Sequence, residues 1–217
     1  MKKQLLFLFA LVVAMGTNVQ AQSLKKLYPA DAEVVITPLP FAWEKCTPYL
    51  DPVVDFTWEK GKGLPLFSYR DLNGLLKNES EEDFAYVFRH FELPAEGVEL
   101  LAVAVERSYF IRHLLLVYKD GVLTDWLEAG FCSNDNIAMK QWKVEADGTV
   151  EIYSLKVLGN RSVLFDDNFG SIRVQREDDT YQIDAKGKFK RLEKVKYGNH
   201  EYAKTDLQNK ELNIWDM

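Results

Sequence analysis

Hydrophobic and polar positions alternate most clearly between Leu114 and Leu158, and this alternation predicts two β-hairpins in succession. An Asp-Gly pair separates the apolar runs of each hairpin, at Asp120-Gly121 and at Asp147-Gly148. A two-residue type I′ turn requires positive φ at both central positions, which Asp tolerates and Gly adopts freely. The stretch is therefore predicted to form an antiparallel meander.

The run before the first turn is apolar on both of its alternating faces. One face carries Phe110, Leu114, Leu116 and Tyr118, and the other carries Ile111, Leu115 and Val117. A strand that is covered on both sides has this near-continuous apolar character. Tyr109–Lys119 is therefore predicted to be a central strand.

A helical period marks the segment before this strand. Phe84, Val87, Phe88 and Phe91 fall at i, i+3, i+4 and i+7, which places them on one stripe of a helix. Ser80 is positioned to cap the first turn, and Pro94 would prevent continuation. We expect one short helix near residues 81–90, packed on the sheet.

A third hairpin is predicted to turn at Lys186-Gly187, and the irregular spacing of the turns argues against a repeat architecture. The fold expected from the whole pattern is mainly β, α+β at the margin. In it an antiparallel meander forms a barrel-like or sandwich sheet that carries the helix.

The first 21 residues have the composition of a secretory signal peptide. Two lysines precede the apolar run Leu5–Met15, and Val19-Gln20-Ala21 is a small-x-small cleavage pattern. The run is too short to anchor the chain across a bilayer. We expect residues 1–21 to be a signal peptide and residues 22–217 to be a single globular β-rich domain, exported to the periplasm or secreted.

The charge balance limits the classes of partner. The chain has 27 basic and 33 acidic residues, a net charge of −6, which disfavours nucleic acid and anionic membrane as general partners. The signal, together with Tyr181–Phe189, resembles exported β-rich proteins of unknown function from Gram-negative bacteria. That resemblance implies an envelope setting and no activity.

Two cysteines, Cys46 and Cys132, remain open to two interpretations. In an exported protein an even count suggests a disulfide. The alternative is two separately buried thiols, because Cys packs well as a small hydrophobic residue.

No catalytic residues are assigned. The sequence lacks G-x-S-x-G, and nothing local supports Cys132 as a nucleophile with His113. Asp125 and Glu128 are three residues apart on a predicted strand, so they point to opposite faces and cannot act on one substrate unless a bulge intervenes.

Two acidic clusters, residues 134–136 and 166–168, offer oxygen ligands for calcium but lack the D-x-D-x-D-G spacing with a distal Glu. Such clusters usually form turns, because Asn and Asp bond to their own backbone. No metal site and no cofactor are predicted.

Aromatic residues between Phe41 and Tyr69 are the remaining candidates for ligand binding. Flat rings at a surface could stack on a sugar or hold a peptide, and Trp43, Trp58 and Tyr69 are the residues proposed for this role. The alternative, which the sequence favours, is that these rings close one end of the core.

A basic strip lies near the C-terminal end of the chain, although the net charge of the chain is negative. It could contact an anionic polymer or an acidic partner. The favoured alternative is an edge strand that lysines protect against pairing with another chain. The strip consists of Lys186, Lys188, Lys190, Arg191, Lys194 and Lys196.

These features favour an envelope or periplasmic protein that acts as a non-enzymatic binding or accessory module. Its partner is unknown, with a glycan or an envelope protein as the classes considered. The alternative is a hydrolase that acts on glycan with carboxylates from separate strands. A third hypothesis is an interaction protein that uses its sheet edge or its basic strip.

Overall fold

The computed structural model describes residues 35–44, 64–65, 84–106, 110–133, 139–159, 169–207, 209 and 215. Ten strands and one short helix are found in these ranges. They are β1 (Phe41–Trp43), β2 (Leu64–Pro65), β3 (Phe84–Glu92), β4 (Val98–Glu106), β5 (Phe110–Lys119), β6 (Val122–Ser133), β7 (Met139–Val144), β8 (Thr149–Val157), β9 (Ser171–Ile183), β10 (Phe189–Ala203) and α1 (Lys204–Leu207).

Strands that follow one another in the chain are also neighbours in the sheet. The order is β10-β9-β8-β7-β6-β5-β4-β3-β2, every pair is antiparallel, and β1 pairs with β7. The predicted mainly β fold with an antiparallel meander is confirmed. Because the order starts at β10 and ends at β2, the sheet is open, and the sandwich form of the prediction fits better than a barrel.

Both predicted Asp-Gly hairpins are present, with different turn geometries. Asp120 and Gly121 have φ values of 51° and 75°, and Lys119 pairs with Val122, so this is a two-residue turn. In the second hairpin, the Gly148 N–H donates to the Glu145 carbonyl and the Glu145 N–H donates to the Thr149 carbonyl. The loop is therefore one residue longer than expected, and only its glycine, with φ 83°, is left-handed.

Strand β5 is covered on both faces, as its sequence predicts. Leu115 and Val117 belong to the main hydrophobic core, and the residues between and around them, from Leu114 to Tyr118, are fully buried as well. Ladders with β4 on one side and β6 on the other satisfy its backbone. Its central position is confirmed.

The helix predicted near residues 81–90 is wrong, because Phe84–Glu92 forms strand β3. A bulge between Val87 and Arg89 shifts the register of β3 against β4 by one residue. Phe88 and Phe91 consequently enter the same core although they are three residues apart, and this spacing imitates a helical stripe. Aromatic and β-branched residues favour strands, so pairing with β4 overrides the capping signals.

The sheet forks between β6 and β7. Among the described residues these strands pair at one position, Phe131 with Lys140, and β1 then takes the place of β6 beside β7. Beyond the fork the two halves pack on one another. Trp43 of β1 and Trp142 of β7 lie with ring centroids 4.0 Å and 6.1 Å from that of His113 on β5. One hydrophobic core therefore joins both halves.

Helix α1 has four residues and follows β10 directly. In the ranges that the structure describes, no helix has the length and apolar character needed to cross a membrane. The predicted signal peptide lies outside these ranges.

Candidate functional site

A single row of paired residues crosses six strands on one face of the sheet. Directly opposed residues in antiparallel strands project from the same face. From β5 to β10 the successive partners are Arg112, Phe131, Lys140, Ser154, Glu177 and Lys196. The row brings residues that are far apart in sequence onto one polar surface.

A cleft of about 490 Å³ opens on this row, at the fork between β6 and β7. Its apolar lining comes from Phe131, Met139 and Leu155. Its polar lining comes from Arg112, Lys140, Lys156, Glu128 and Ser154. The cleft thus combines an apolar wall with three cations and a single carboxylate among its lining residues.

Glu128 is held between two cations of the cleft. Its Oε2 accepts hydrogen bonds from Arg112 Nε at 3.0 Å and Nη2 at 2.7 Å, and its Oε1 accepts from Lys140 Nζ at 2.7 Å. Burial alone would raise the pKa of Glu128, but the hydrogen bonds and charges of Lys140 and Arg112 outweigh burial and lower it. Glu128 is therefore an ionised clamp that fixes the two cations.

This state of Glu128 limits the chemistry of the cleft. A general acid must carry a proton near the working pH, which requires a raised pKa. A glycosidase also requires a second carboxyl across the substrate. Asp125 does not supply it, because Asp125 pairs with Val117 and Glu128 pairs with Leu114, which places them on opposite faces of β6. Asp125 instead accepts a hydrogen bond from the Phe189 N–H.

A second ionic cluster lies beside the cleft. Glu177 of β9 accepts hydrogen bonds from Lys156 of β8 and from Lys194 of β10 at 2.7 Å, and its Oε1 lies 2.9 Å from Lys196 Nζ. Burial would raise the pKa of Glu177, but the three lysines together lower it to about 2. Lys156 belongs both to this cluster and to the lining of the cleft.

The aromatic residues predicted to bind ligand are not brought together by the described part of the structure. Trp43 is 1% exposed and packs in the core region against His113, whose ring also contacts Phe88. Trp58 and Tyr69 lie outside the described residues. Ligand binding by these three residues stays a prediction.

His113 and Cys132 are both buried in the core region. The indole Nε1–H of Trp142 donates to His113 Nδ1 at 3.0 Å, so this nitrogen serves as an acceptor inside the aromatic cluster. Cys132 is a free thiol, so the structure shows the separately buried alternative for this cysteine rather than the disulfide. Cys46 lies outside the described residues, as do the two acidic clusters considered for calcium.

The basic strip divides between the two faces of β10. Lys194 and Lys196 pair opposite Asp179 and Glu177, on the face of the cleft, whereas Lys190 pairs opposite Gln182 on the other face. A bulge at Leu192 and the exposure of this edge agree with an edge strand that resists pairing. Two of its lysines nevertheless lie beside the cleft.

Sequence reasoning missed Arg112, Lys140 and Lys156. Arg112 lies in a strand that is apolar on both faces, and Lys140 and Lys156 fall on the same sides of β7 and β8 as the buried residues Trp142 and Ile152. Only the long-range register of the sheet places them together. Alternation along β7 and β8 assigns these positions to the core side of the sheet, and it does not indicate that this side opens into a cleft at the fork. In the part of the chain that is described, no group of three His, Cys, Asp or Glu residues is arranged to hold a metal ion.

Comparison of the chain with protein-family models, with curated proteins and with solved structures gave no match. Function is therefore argued from the residues of the cleft.

Proposed function

We propose that this protein is an exported, non-enzymatic binding module and that the cleft at the β6–β7 fork holds its ligand. The observation that carries the proposal is the composition of the lining: three cations and an apolar wall around one carboxylate that is already ionised and paired. Such a cleft suits a ligand that combines an acidic group with an apolar or flat portion.

In this proposal the cations of the cleft contact the acidic group of the ligand, and the apolar residues contact the rest of it. Arg112 and Lys140 are held in place by Glu128, so an acidic ligand would meet cations whose side chains are already ordered. Phe131, Met139 and Leu155 offer apolar surface for the remainder of the ligand. Ser154 adds a hydroxyl that can donate or accept a hydrogen bond.

Titration calorimetry with an aromatic sulfonate, anilinonaphthalene sulfonate, tests this proposal. We expect saturable binding of one probe per chain. In Lys140→Gln the affinity should fall about tenfold, which corresponds to the loss of one charge-assisted hydrogen bond. Lys190→Gln is the matched control, because it removes the same charge from the opposite face of the sheet, and it should bind the probe as the wild type does.

Equal affinities of Lys140→Gln and wild type for the probe would overturn the proposed site. Because this probe also binds loosely packed states, the cooperative urea unfolding transition of each variant must be retained. The urea measurement identifies any variant that binds more probe because it no longer unfolds cooperatively, and such a variant is left out of the comparison of affinities.

The alternative function is hydrolysis of a glycan by carboxylates from separate strands. Glu128 of β6 and Glu177 of β9 are such a pair in the region of the cleft, but both have a lowered pKa and neither supplies a general acid. A reducing-end assay on acidic and neutral polysaccharides decides between the two functions. Release of reducing ends that is abolished in Glu128→Gln would favour the hydrolase.

Export is supported by the composition of residues 1–21, with its basic start, apolar run and small-x-small pattern. N-terminal sequencing of the protein recovered from the periplasm or the medium should begin at Gln22. A chain that retains Met1 in the cytoplasmic fraction would contradict the proposed location.

A further inference from the structure

Three lysines converge over one carboxylate at the edge of the sheet. The Glu177 side chain is 4% exposed, whereas those of Lys156, Lys194 and Lys196 are 50%, 30% and 57% exposed. The carboxylate therefore lies beneath the ammonium groups, and the surface presented to solvent is cationic. We call these four residues the lysine cluster.

The lysine cluster carries a surplus of positive charge. Three ammonium groups face one carboxylate, which leaves two net positive charges in a chain whose net charge is −6. Lys194 also lies 3.6 Å from one oxygen of Asp179, and the other oxygen of Asp179 lies 3.5 Å from Arg191. The negative charge of Asp179 is therefore offset by the positive charge of Arg191, and the surplus of the lysine cluster is unchanged. A local surplus of this sign attracts anions.

The cleft and the lysine cluster are continuous. Lys156 belongs to both, and Lys140, Ser154, Glu177 and Lys196 form consecutive pairs of one row from β7 to β10. Neighbouring strands lie about 4.8 Å apart, so this part of the row spans roughly 14 Å. A ligand that fills the cleft and also reaches Lys196 must be extended.

The lysines are also oriented before any ligand arrives. An ammonium group has three N–H donors, and a hydrogen bond to Glu177 uses one of them. Holding the side chains over Glu177 lowers the rotamer entropy that they lose when they contact a ligand. The buried carboxylate thus organises a cationic surface in addition to neutralising part of it.

We infer that the cleft and the lysine cluster form one continuous track for an acidic polysaccharide, whose acidic groups contact the lysines along the track. The inference rests on the proposed function, since it assigns the ligand class of the same cleft. The acidic sugar in the cleft contacts Arg112 and Lys140, and the chain continues past Lys156 toward Lys194 and Lys196.

The lining of the cleft favours a glycan over a single-stranded nucleic acid. Sites for single strands combine a basic groove with several aromatic rings on which successive bases stack. The residues that line this cleft include one aromatic ring, Phe131, together with two aliphatic side chains and the hydroxyl of Ser154. The net charge of −6 also disfavours a densely charged nucleic acid.

Binding of polygalacturonate, a polymer of uronic acid, to the purified protein tests the inference, with neutral dextran as the polymer control. We expect affinity for polygalacturonate that weakens as salt is added, and no affinity for dextran. The double variant Lys194→Gln/Lys196→Gln should bind polygalacturonate roughly fivefold more weakly. It leaves Lys156 to pair with Glu177, and its unfolding transition should remain cooperative.

The matched control is Lys186→Gln/Lys190→Gln, which removes two charges from the same hairpin but outside the lysine cluster and should bind the polymer as the wild type does. Equal polymer affinities of the two double variants would overturn the inference. Tighter binding to poly(dT) than to polygalacturonate would overturn the assignment to glycan.

The aromatic sulfonate separates this inference from the proposed function. Lys194→Gln/Lys196→Gln should bind that small probe normally, because neither lysine lines the cleft. If Lys140→Gln weakens the small probe while the lysine-cluster variant binds the polymer as the wild type does, the cleft stands and the extended track fails. If Lys140→Gln affects neither ligand, the proposed function fails.

Discussion

The centre and the edge of the sheet are built from the same antiparallel ladder and have opposite surroundings. In β4 and β5, all residues from Leu100 to Val105 and from Leu114 to Tyr118 are fully buried. In β10, all residues from Arg191 to Lys196 are exposed. The centre leaves no room for a ligand, whereas the edge keeps charged side chains in contact with water.

The difference indicates that the centre of the sheet provides most of the stability, whereas the edge and the cleft provide the groups for binding. Apolar side chains at the centre stabilise the fold by burial. At the edge and along the cleft, two carboxylates, Glu128 and Glu177, each hold more than one cation. We therefore expect substitutions at the centre to change the free energy of unfolding and substitutions along the cleft to change ligand affinity.

Truncation of a leucine should have the largest effect on stability at the centre. Leu115→Ala removes a fully buried side chain from the core and should lower the free energy of unfolding by about 2–5 kcal/mol. Leu192→Ala, at a side chain that is 56% exposed, should change it by less than about 0.5 kcal/mol. Urea unfolding measures both values, and similar losses would contradict the contrast between centre and edge.

Gly130→Ala tests the packing around His113. A Cβ at position 130 would lie 2.8 Å from His113 Cβ, and the His113 ring is confined by Trp43 and Trp142. We expect a loss of about 1–3 kcal/mol in the free energy of unfolding, from overpacking. Gly170→Ala is the control, because among the described residues no atom beyond Gly170 and its chain neighbours lies within 4 Å of the added Cβ. An unchanged free energy of unfolding in Gly130→Ala would mean that the side chains around His113 rearrange to accommodate the added methyl group, against the tight packing that we propose.

Acid should weaken the ionic edge through Glu177. Its pKa of about 2 in the folded protein lies below its ordinary value of 4.5, so the unfolded chain binds the proton more readily. The stabilisation is fully present above about pH 5 and is lost as the pH falls toward 2. We expect Glu177 to contribute about 1–2 kcal/mol to this loss. Urea unfolding between pH 7 and pH 3 should show a shallower decline for Glu177→Gln, and parallel curves would contradict this assignment.

The smallest stability effect is expected for the lysines over Glu177. Lys194→Gln/Lys196→Gln should change the free energy of unfolding at pH 7 by about 1 kcal/mol or less, because both lysines reach solvent and Lys156 remains to pair with Glu177. A loss as large as that of Leu115→Ala would show that these lysines serve the fold, against a role in ligand binding.

The sequence predicts the local features of this fold and not its long-range register. The Asp-Gly turns and the two-sided apolar run of β5 are encoded in short windows, and both are found in the structure. The prediction of a helix near residues 81–90 is wrong because one bulge in β3 places core residues three positions apart, which is the spacing of a helix. The sequence does not indicate that Arg112 and Lys140 lie on one row. They are 28 positions apart, and their alignment through Phe131 depends on the pairing of the whole sheet.

We propose the cleft at the β6–β7 fork as the ligand site. Amide chemical-shift mapping with a short oligomer of galacturonic acid identifies the residues that a ligand contacts. We expect the largest shifts at Lys140, Ser154, Leu155 and Lys156, which line the cleft, and at Lys194 and Lys196 beside it. Saturable shifts confined to the hairpin turns at Asp120-Gly121 and Asp147-Gly148, or no saturable shifts at all, would contradict the account.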